Sequence, residues 1–155
     1  MTTKEKLLAL LEDSKGTFFS GEEIARTLQV SRAAVWKAVN ALREDGYTID
    51  AATNKGYRLS PDSDILSPQG IRRFLKPEYR DLDLTVLPTA PSTNALVREK
   101  ANQGRPEGCV IVACEQTAGR GRYGRQFFSP VDSGVYLSLL LRPTAYSPQQ
   151  ATCLT

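Results

Sequence analysis

Leu7, Leu8, Leu10 and Leu11 recur at helical spacing within Thr3–Asp13 and predict a first helix, closed by Gly16. Ser20 heads a second helix, with Glu22 and Glu23 in its first turn, where the positive dipole end favours them. Ile24, Ala25 and Leu28 form its apolar face, and Gln29-Val30 makes a short turn. Ser31 then caps a third helix, Arg32–Asp45, which Gly46 ends. Val35, Val39 and Leu42 fall at i, i+4 and i+7 on its core side. Two short helices joined by so tight a turn form the helix-turn-helix pattern. Alternation on both sides of Asn54-Lys55-Gly56 predicts a hairpin, which after such a helix is a wing.

Beyond this, Ser60 to Asp64 is polar and turn-forming, so the domains are expected at 1–60 and 68–155 with a linker over 61–67. Ser67-Pro68 predicts a cap and a helix to about Leu75. Leu82–Leu87 alternates as a strand, and Ser92-Thr93-Asn94 opens a helix reaching Gln103. Gly108–Gln116 and Gly134–Arg142 are nearly continuous apolar runs, the mark of buried strands. This order predicts an α+β chain whose second part is a mixed sheet with helices on one side.

Charge alters the reading only locally, since the net charge is +3. Ser31–Arg43 holds Arg32, Lys37 and Arg43 and no acid, and Arg120–Arg125 holds three arginines and no acid. A solvated face accounts for either run by charge alone. On the third helix the side opposite the core shows Arg32, Ala33, Trp36, Lys37, Asn40 and Arg43, and the capping Ser31 is counted with the DNA-facing residues. Helix-turn-helix proteins place this part of the second helix in the DNA major groove, where Arg, Lys and Asn donate to phosphates or base edges. Lys55 and Arg58 extend the same chemistry to the wing. Trp36 packs on DNA sugars, docks on a neighbouring domain or enters the core; the residues alone leave these open. A helical bundle that binds protein is the alternative for the whole region.

The chain has no histidine, which excludes His-based triads and H-E-x-x-H metal sites from these residues. Cys109, Cys114 and Cys153 make no C-x-x-C pair, so no metal site is expected and the thiols are expected to be buried. No apolar run reaches the roughly 18 residues of a membrane span, and Lys4, Glu5 and Lys6 interrupt any signal-like start. A cytoplasmic protein with no membrane partner is expected.

Gly119-Arg120-Gly121-Arg122-Tyr123-Gly124-Arg125 lies between the two apolar runs. It matches G-x-G-x-x-G, but Pro130 breaks any helix that should follow and the acidic residue about 20 positions on is missing. No G-K-[ST] follows for a Walker loop. Three glycines permit close backbone approach and three arginines supply always-charged planar donors. The combination reads as a loop disordered until it closes over an anion. An RNA-binding Gly/Arg loop and a plain surface turn are the alternatives.

S-R-A-A-V-W-K-A-V-N-A-L-R-E-D-G-Y followed by N-K-G-Y-R-L is similar to the DNA-binding domain of bifunctional biotin ligase/repressors. S-T-N, E-Q-T-A-G-R-G-R-Y-G-R-Q-F-F-S-P and G-V-Y-L-S-L-L-L-R-P resemble the biotin–protein ligase family, so the likeness covers nearly the whole chain. It implies a winged helix-turn-helix domain followed by the first half of a class II synthetase-like mixed α/β ligase domain. It implies biotin and ATP as substrates, with Mg2+ accompanying ATP. Operator DNA and the biotin carboxyl carrier domain of acetyl-CoA carboxylase are the implied partners, with a homodimer fitting a palindromic operator. By resemblance Ser92, Thr93 and Asn94 lie in the biotin pocket, Gln116 contacts biotin near its carboxylate or the adenylate, and Gly119, Arg120, Gly121 and Arg122 close over biotinyl-5′-AMP. Plain helix capping is the alternative for the first three. The family's K-W-P-N-D element, its later lysine and its C-terminal barrel have no counterpart here, so no catalytic residue is assigned. A helix starting at Ser147-Pro148 with only two turns before Thr155 reads as truncation, and a fragment is expected. The rival from another class is a winged-helix regulator that senses a metabolite without catalysis.

Overall fold

The computed structural model describes residues 1–121, 123, 125–130, 134–143 and 150. The predicted helix at Ser147-Pro148 and Cys153 lie outside them. The chain forms two compact units, Met1–Arg80 and Asp81–Thr155.

In the first unit, α1 (Thr3–Asp13) starts at a reciprocal cap: the Glu5 N–H donates to Thr2 Oγ1 (3.3 Å) and the Thr2 N–H to Glu5 Oε2 (2.7 Å). α2 (Gly21–Leu28) and α3 (Arg32–Glu44) are capped by Ser20 and Ser31, whose hydroxyls accept from the Glu23 and Ala34 amides at 3.1 and 3.2 Å. The turn between them is made by Gln29 in the left-handed region (φ 55°). Leu7, Leu11, Ile24, Val35, Val39, Leu42, Ile49 and Leu59 form the shared core. Burying each such side chain contributes roughly 1.5–3 kcal/mol.

The wing is β1 (Ile49–Ala52) against β2 (Gly56–Leu59), antiparallel with Ile49 opposite Leu59 and Ala52 opposite Gly56. Phe19 adds a bridge that the alternation does not show. Its N–H donates to the Tyr57 carbonyl (2.9 Å) and its carbonyl accepts the Tyr57 N–H (2.8 Å). That carbonyl passes so close to Gly56 (φ 94°) that a Cβ would overlap it, so glycine is required there for space as well as for φ.

α4 (Pro68–Phe74) begins at the predicted Ser67 cap. It was expected at the start of the second domain, but it packs on α1 inside the first compact unit. Ser67, 2% exposed, donates to Glu12 Oε1 (3.3 Å), itself on a side chain 6% exposed, and accepts from the Gly70 amide (2.9 Å). Arg73 Nη1 donates to the Glu12 carbonyl (2.7 Å). A polar and turn-forming composition over 61–67 does not reveal a polar clasp between residues 55 or more positions apart.

In the second unit, β3 (Asp83–Ala90) runs parallel to β4 (Cys109–Gln116) through the crossover helix α5 (Thr93–Asn102), and β5 (Tyr136–Leu139) runs antiparallel to β4. The sheet order is β3-β4-β5, a mixed sheet as predicted. β3 outruns its expected end at Leu87, passing through Pro88. Among the described residues β3 is an edge strand, where a missing N–H is tolerated. β4 is buried from Cys109 to Ala113, and α5 covers one face through Val97 packed with Cys109, Ile111 and Leu140. Two expectations of burial give way. Cys114 is only half-buried, and β5 is shorter than predicted, with Val135, Leu137, Leu139 and Leu141 exposed. Among the described residues β5 has one partner strand, so only alternate side chains are covered.

Tyr47 closes the end of α3 against this first core, and burial pushes its phenol up, with Glu12 and Asp45 adding to the shift and a Ser67 hydrogen bond opposing it. The unfolded phenol ionises near its ordinary 10.0 while the folded one holds its proton longer. The unfolded state therefore releases its proton first. The contribution is complete below the unfolded value and is lost as pH rises through the folded one. Urea unfolding between about pH 9 and 11 should show a steeper loss of stability in the wild type than in Tyr47→Phe; equal slopes would remove Tyr47 from the account.

Candidate functional site

Two surfaces gather the residues singled out by their chemistry, one in each unit. In the second unit, the C-terminal ends of parallel β3 and β4 face the start of α5. Sheets with this topology place ligands at that end. Ser92 is the α5 N-cap, its hydroxyl accepting the Ala95 amide at 3.4 Å, so the capping alternative holds for this side chain. Thr93, 3% exposed, turns inward. Its amide (2.8 Å) and hydroxyl (3.2 Å) both reach Gln116 Oε1, and its Oγ1 lies 3.0 Å from Ser138 Oγ on β5. Gln116 Nε2 donates to Ser129 Oγ at 3.5 Å, and the Gln116 amide donates to the Ser129 carbonyl at 3.1 Å. One carboxamide thus links the helix start, the strand end and the far end of the arginine loop.

These groups open onto a cleft of about 300 Å³ lined by Ser92, Thr93, Asn94, Gln116 and Arg120, with an apolar wall from Phe127 and Tyr136. The two rings meet edge to face, centroids 6.3 Å apart. That volume is at the small end of the range for small-molecule pockets. None of its lining residues is acidic, and Arg120 and Asn94 are exposed at the mouth. A neutral polar floor, an apolar wall and a cation at the rim suit an amphipathic ligand with an anionic end.

The loop is more ordered at its base than its composition implies. Phe127 N–H donates to the Gly119 carbonyl (3.0 Å), Gly121 N–H to the Arg125 carbonyl (2.7 Å), and Arg120 bridges Gln126. Paired backbone offsets the glycine entropy that argues for a floppy loop. Arg122, expected beside Arg120, lies outside the described residues. Ser129 and Ser138 were not singled out. Ser138 had a signal: it is the one small polar residue inside the apolar run Val135–Leu141. Ser129 had none, because its part depends on the chain folding back onto Gln116.

In the first unit, a groove of about 730 Å³ runs between α3 and the wing, lined in part by Arg32, Ala33 and Trp36 from α3 and by Ala52, Thr53 and Asn54 from the wing. Trp36 is exposed, which removes the core alternative. Ser31 serves as the cap. Lys37 and Lys55 are exposed and Asn40 half-buried, all outside the groove lining. Lys55 Nζ lies 5.9 Å from the centre of the Phe18 ring. Two cations are otherwise engaged. Arg43 donates through Nε (3.1 Å) and Nη2 (2.7 Å) to the Ile49 carbonyl, and Arg58 pairs with Asp50 (2.8 Å) above Phe18. Arg43 ties the wing to α3 and Arg58 ties its two strands together, so both owe their position to the fold.

Comparison with known proteins agrees with this division. An HTH domain model matches residues 3–58, and the Biotin/lipoate A/B protein ligase family model matches residues 86–155. The protein is therefore a helix-turn-helix domain joined to a ligase domain, an α+β chain. Its second part is similar to the biotin/lipoate A/B protein ligase family, and a helix-turn-helix domain precedes that part. It is 41% identical over 142 residues to the bifunctional ligase/repressor BirA of Bacillus subtilis, covering 92% of this chain and 44% of that protein. It is 36% identical over 141 residues to the protein of the same name from Escherichia coli, covering 91% and 42%. The chain thus spans less than half the length of the curated relatives it matches. Among the described residues no helix is long and apolar enough to cross a membrane.

Gly119 is the tightest point of the cleft's frame. An added Cβ would stand 2.8 Å from the Phe127 carbonyl and 2.9 Å from Ser129 Oγ. Gly119→Ala should open the loop base by about 1–3 kcal/mol, seen as roughly ten- to hundredfold faster hydrogen exchange at the Phe127 amide. Unchanged exchange there would show that the loop base bears no strain from position 119.

Proposed function

We propose that the protein activates biotin for transfer to a carrier protein and represses biotin genes through its first domain. The observation that carries the reading is the convergence of Thr93, Gln116 and Arg120 on one cleft, inside a segment matching the ligase family. Thr93 and Gln116 present hydroxyl and carboxamide groups suited to biotin's ureido ring. The Phe127 and Tyr136 wall suits its apolar ring and chain. Arg120 at the rim, with Gly119, Gly121 and Arg122, would hold the charged end. Ser92 and Asn94 complete the helix start.

In the proposed reaction the biotin carboxylate attacks the α-phosphorus of ATP, pyrophosphate leaves, and a mixed anhydride, biotinyl-5′-AMP, remains. A lysine amine of a biotin carboxyl carrier domain, as in acetyl-CoA carboxylase, then attacks the acyl carbon and AMP leaves. The arginine loop's part is electrostatic: it holds the adenylate and keeps water from the anhydride. Mg2+ would arrive bound to the phosphates, since no group of three metal-ligating side chains is gathered among the described residues. Operator DNA would lie along α3 and the wing, contacted by Ser31, Arg32, Ala33, Trp36, Lys37, Asn40 and Lys55. A homodimer would match a palindromic operator.

Biotinyl-5′-AMP supplied ready-made should be retained by the protein, as read by mass spectrometry. Arg120→Ala should weaken its retention roughly ten- to hundredfold, the range of one charge-assisted hydrogen bond. Neither forming the adenylate nor binding it when supplied ready-made would end the ligase reading and leave the metabolite-sensing regulator.

For the first domain, Arg32→Ala and Lys37→Ala should each weaken duplex DNA binding and make the slope of log affinity against log salt shallower by about 1. Adenylate retention should not change. Slopes equal to wild type in both variants would place the phosphate contacts elsewhere.

A further inference from the structure

Trp36 is the chain's single tryptophan and it stands 58% exposed on the outer face of α3. An indole left in water forgoes the free energy of burial. Its neighbours indicate what covers it. Arg32 and Ala33 precede it on the groove wall, and Ala52 and Asn54 face it from the wing. None of the groove's lining residues is acidic. A cation beside an apolar pair, with no acid in the groove, fits a duplex, whose phosphates flank its bases.

The major groove displays one apolar group, the C5-methyl of thymine, and small or aromatic apolar side chains read it. Ala33 and Trp36 are three residues apart and so share a helix face. Their separation along the axis is roughly 4.5 Å at 1.5 Å per residue, comparable with the ~3.4 Å base step. We propose that Ala33 and Trp36 form a thymine-methyl reader seated over two neighbouring base pairs, giving the first domain a preference for thymine that hydrogen-bond donors such as Arg32, suited to phosphates and guanine edges, do not supply. This rests on the DNA-binding reading above and adds to it which base is chosen. Arg32 and Lys37 contribute to how tightly a duplex is held, and Trp36 adds the preference for thymine.

The test selects duplexes from a random-sequence pool with the full chain, then replaces each thymine in turn by deoxyuridine, which removes only the methyl. One or two positions should lose affinity by roughly fourfold each, the value of one buried methyl-sized group. Trp36→Ala should abolish that sensitivity while leaving the salt slope as in the wild type, and Trp36→Phe should retain part of it. Trp36 is exposed, so its removal leaves the core intact. Binding that is indifferent to deoxyuridine at every position, or a penalty that persists in Trp36→Ala, overturns the inference and leaves DNA binding standing. Failure to select or bind any duplex overturns both.

Discussion

The Gln116 carboxamide is the point where separate stretches of the ligase unit are joined. Its oxygen takes two donors from Thr93 and its nitrogen reaches Ser129, while Thr93 in turn meets Ser138. A buried polar group left without partners costs about 1–3 kcal/mol. The network therefore favours one arrangement of α5, β4, β5 and the loop end over alternatives that strand any of its members. The cleft is the space left in front of that arrangement. Its polar floor and its stability have the same source.

The helix-turn-helix unit is organised by a comparable economy. Phe19 fastens β2 to the helices by two backbone bonds, Gly56 permits that approach, and Arg43 and Arg58 secure β1. Cations that composition would assign to phosphate contact are consumed in fixing the wing. What remains for a partner is a smaller set on α3, with an indole among them. Charge fixes the wing in one part of the surface and leaves the rest exposed on α3.

Local rules account for most of the secondary structure. Ser20, Ser31, Ser67 and Ser92 each cap the helix they precede, because a hydroxyl beside unpaired amides acts within three residues. The wing hairpin and the β3–α5–β4 crossover follow from period and turn residues. The resemblance brought Thr93, Gln116 and Arg120 to one site, where periodicity alone would have left them as a capping residue, a strand end and a loop cation. Three features were not legible. β3 runs through Pro88 because an edge position forgives it, the arginine loop is paired at its base, and α4 is clasped to α1 by Glu12 and Ser67. Each depends on which distant segment lies alongside.

By itself, then, the sequence determined the identity and order of the helices, the helix-turn-helix with its wing, the cationic glycine loop and the likeness to a ligase family. All of these are set by contacts within a few residues or by a motif read in line. Tertiary structure alone decided that Ser129 and Ser138 bond to the Gln116 and Thr93 side chains of the cleft, that Arg43 and Arg58 serve the wing, and that Trp36 faces outward. Those outcomes depend on satisfying buried donors and acceptors, or covering apolar area, between residues far apart in the chain, and no local pattern carries that information.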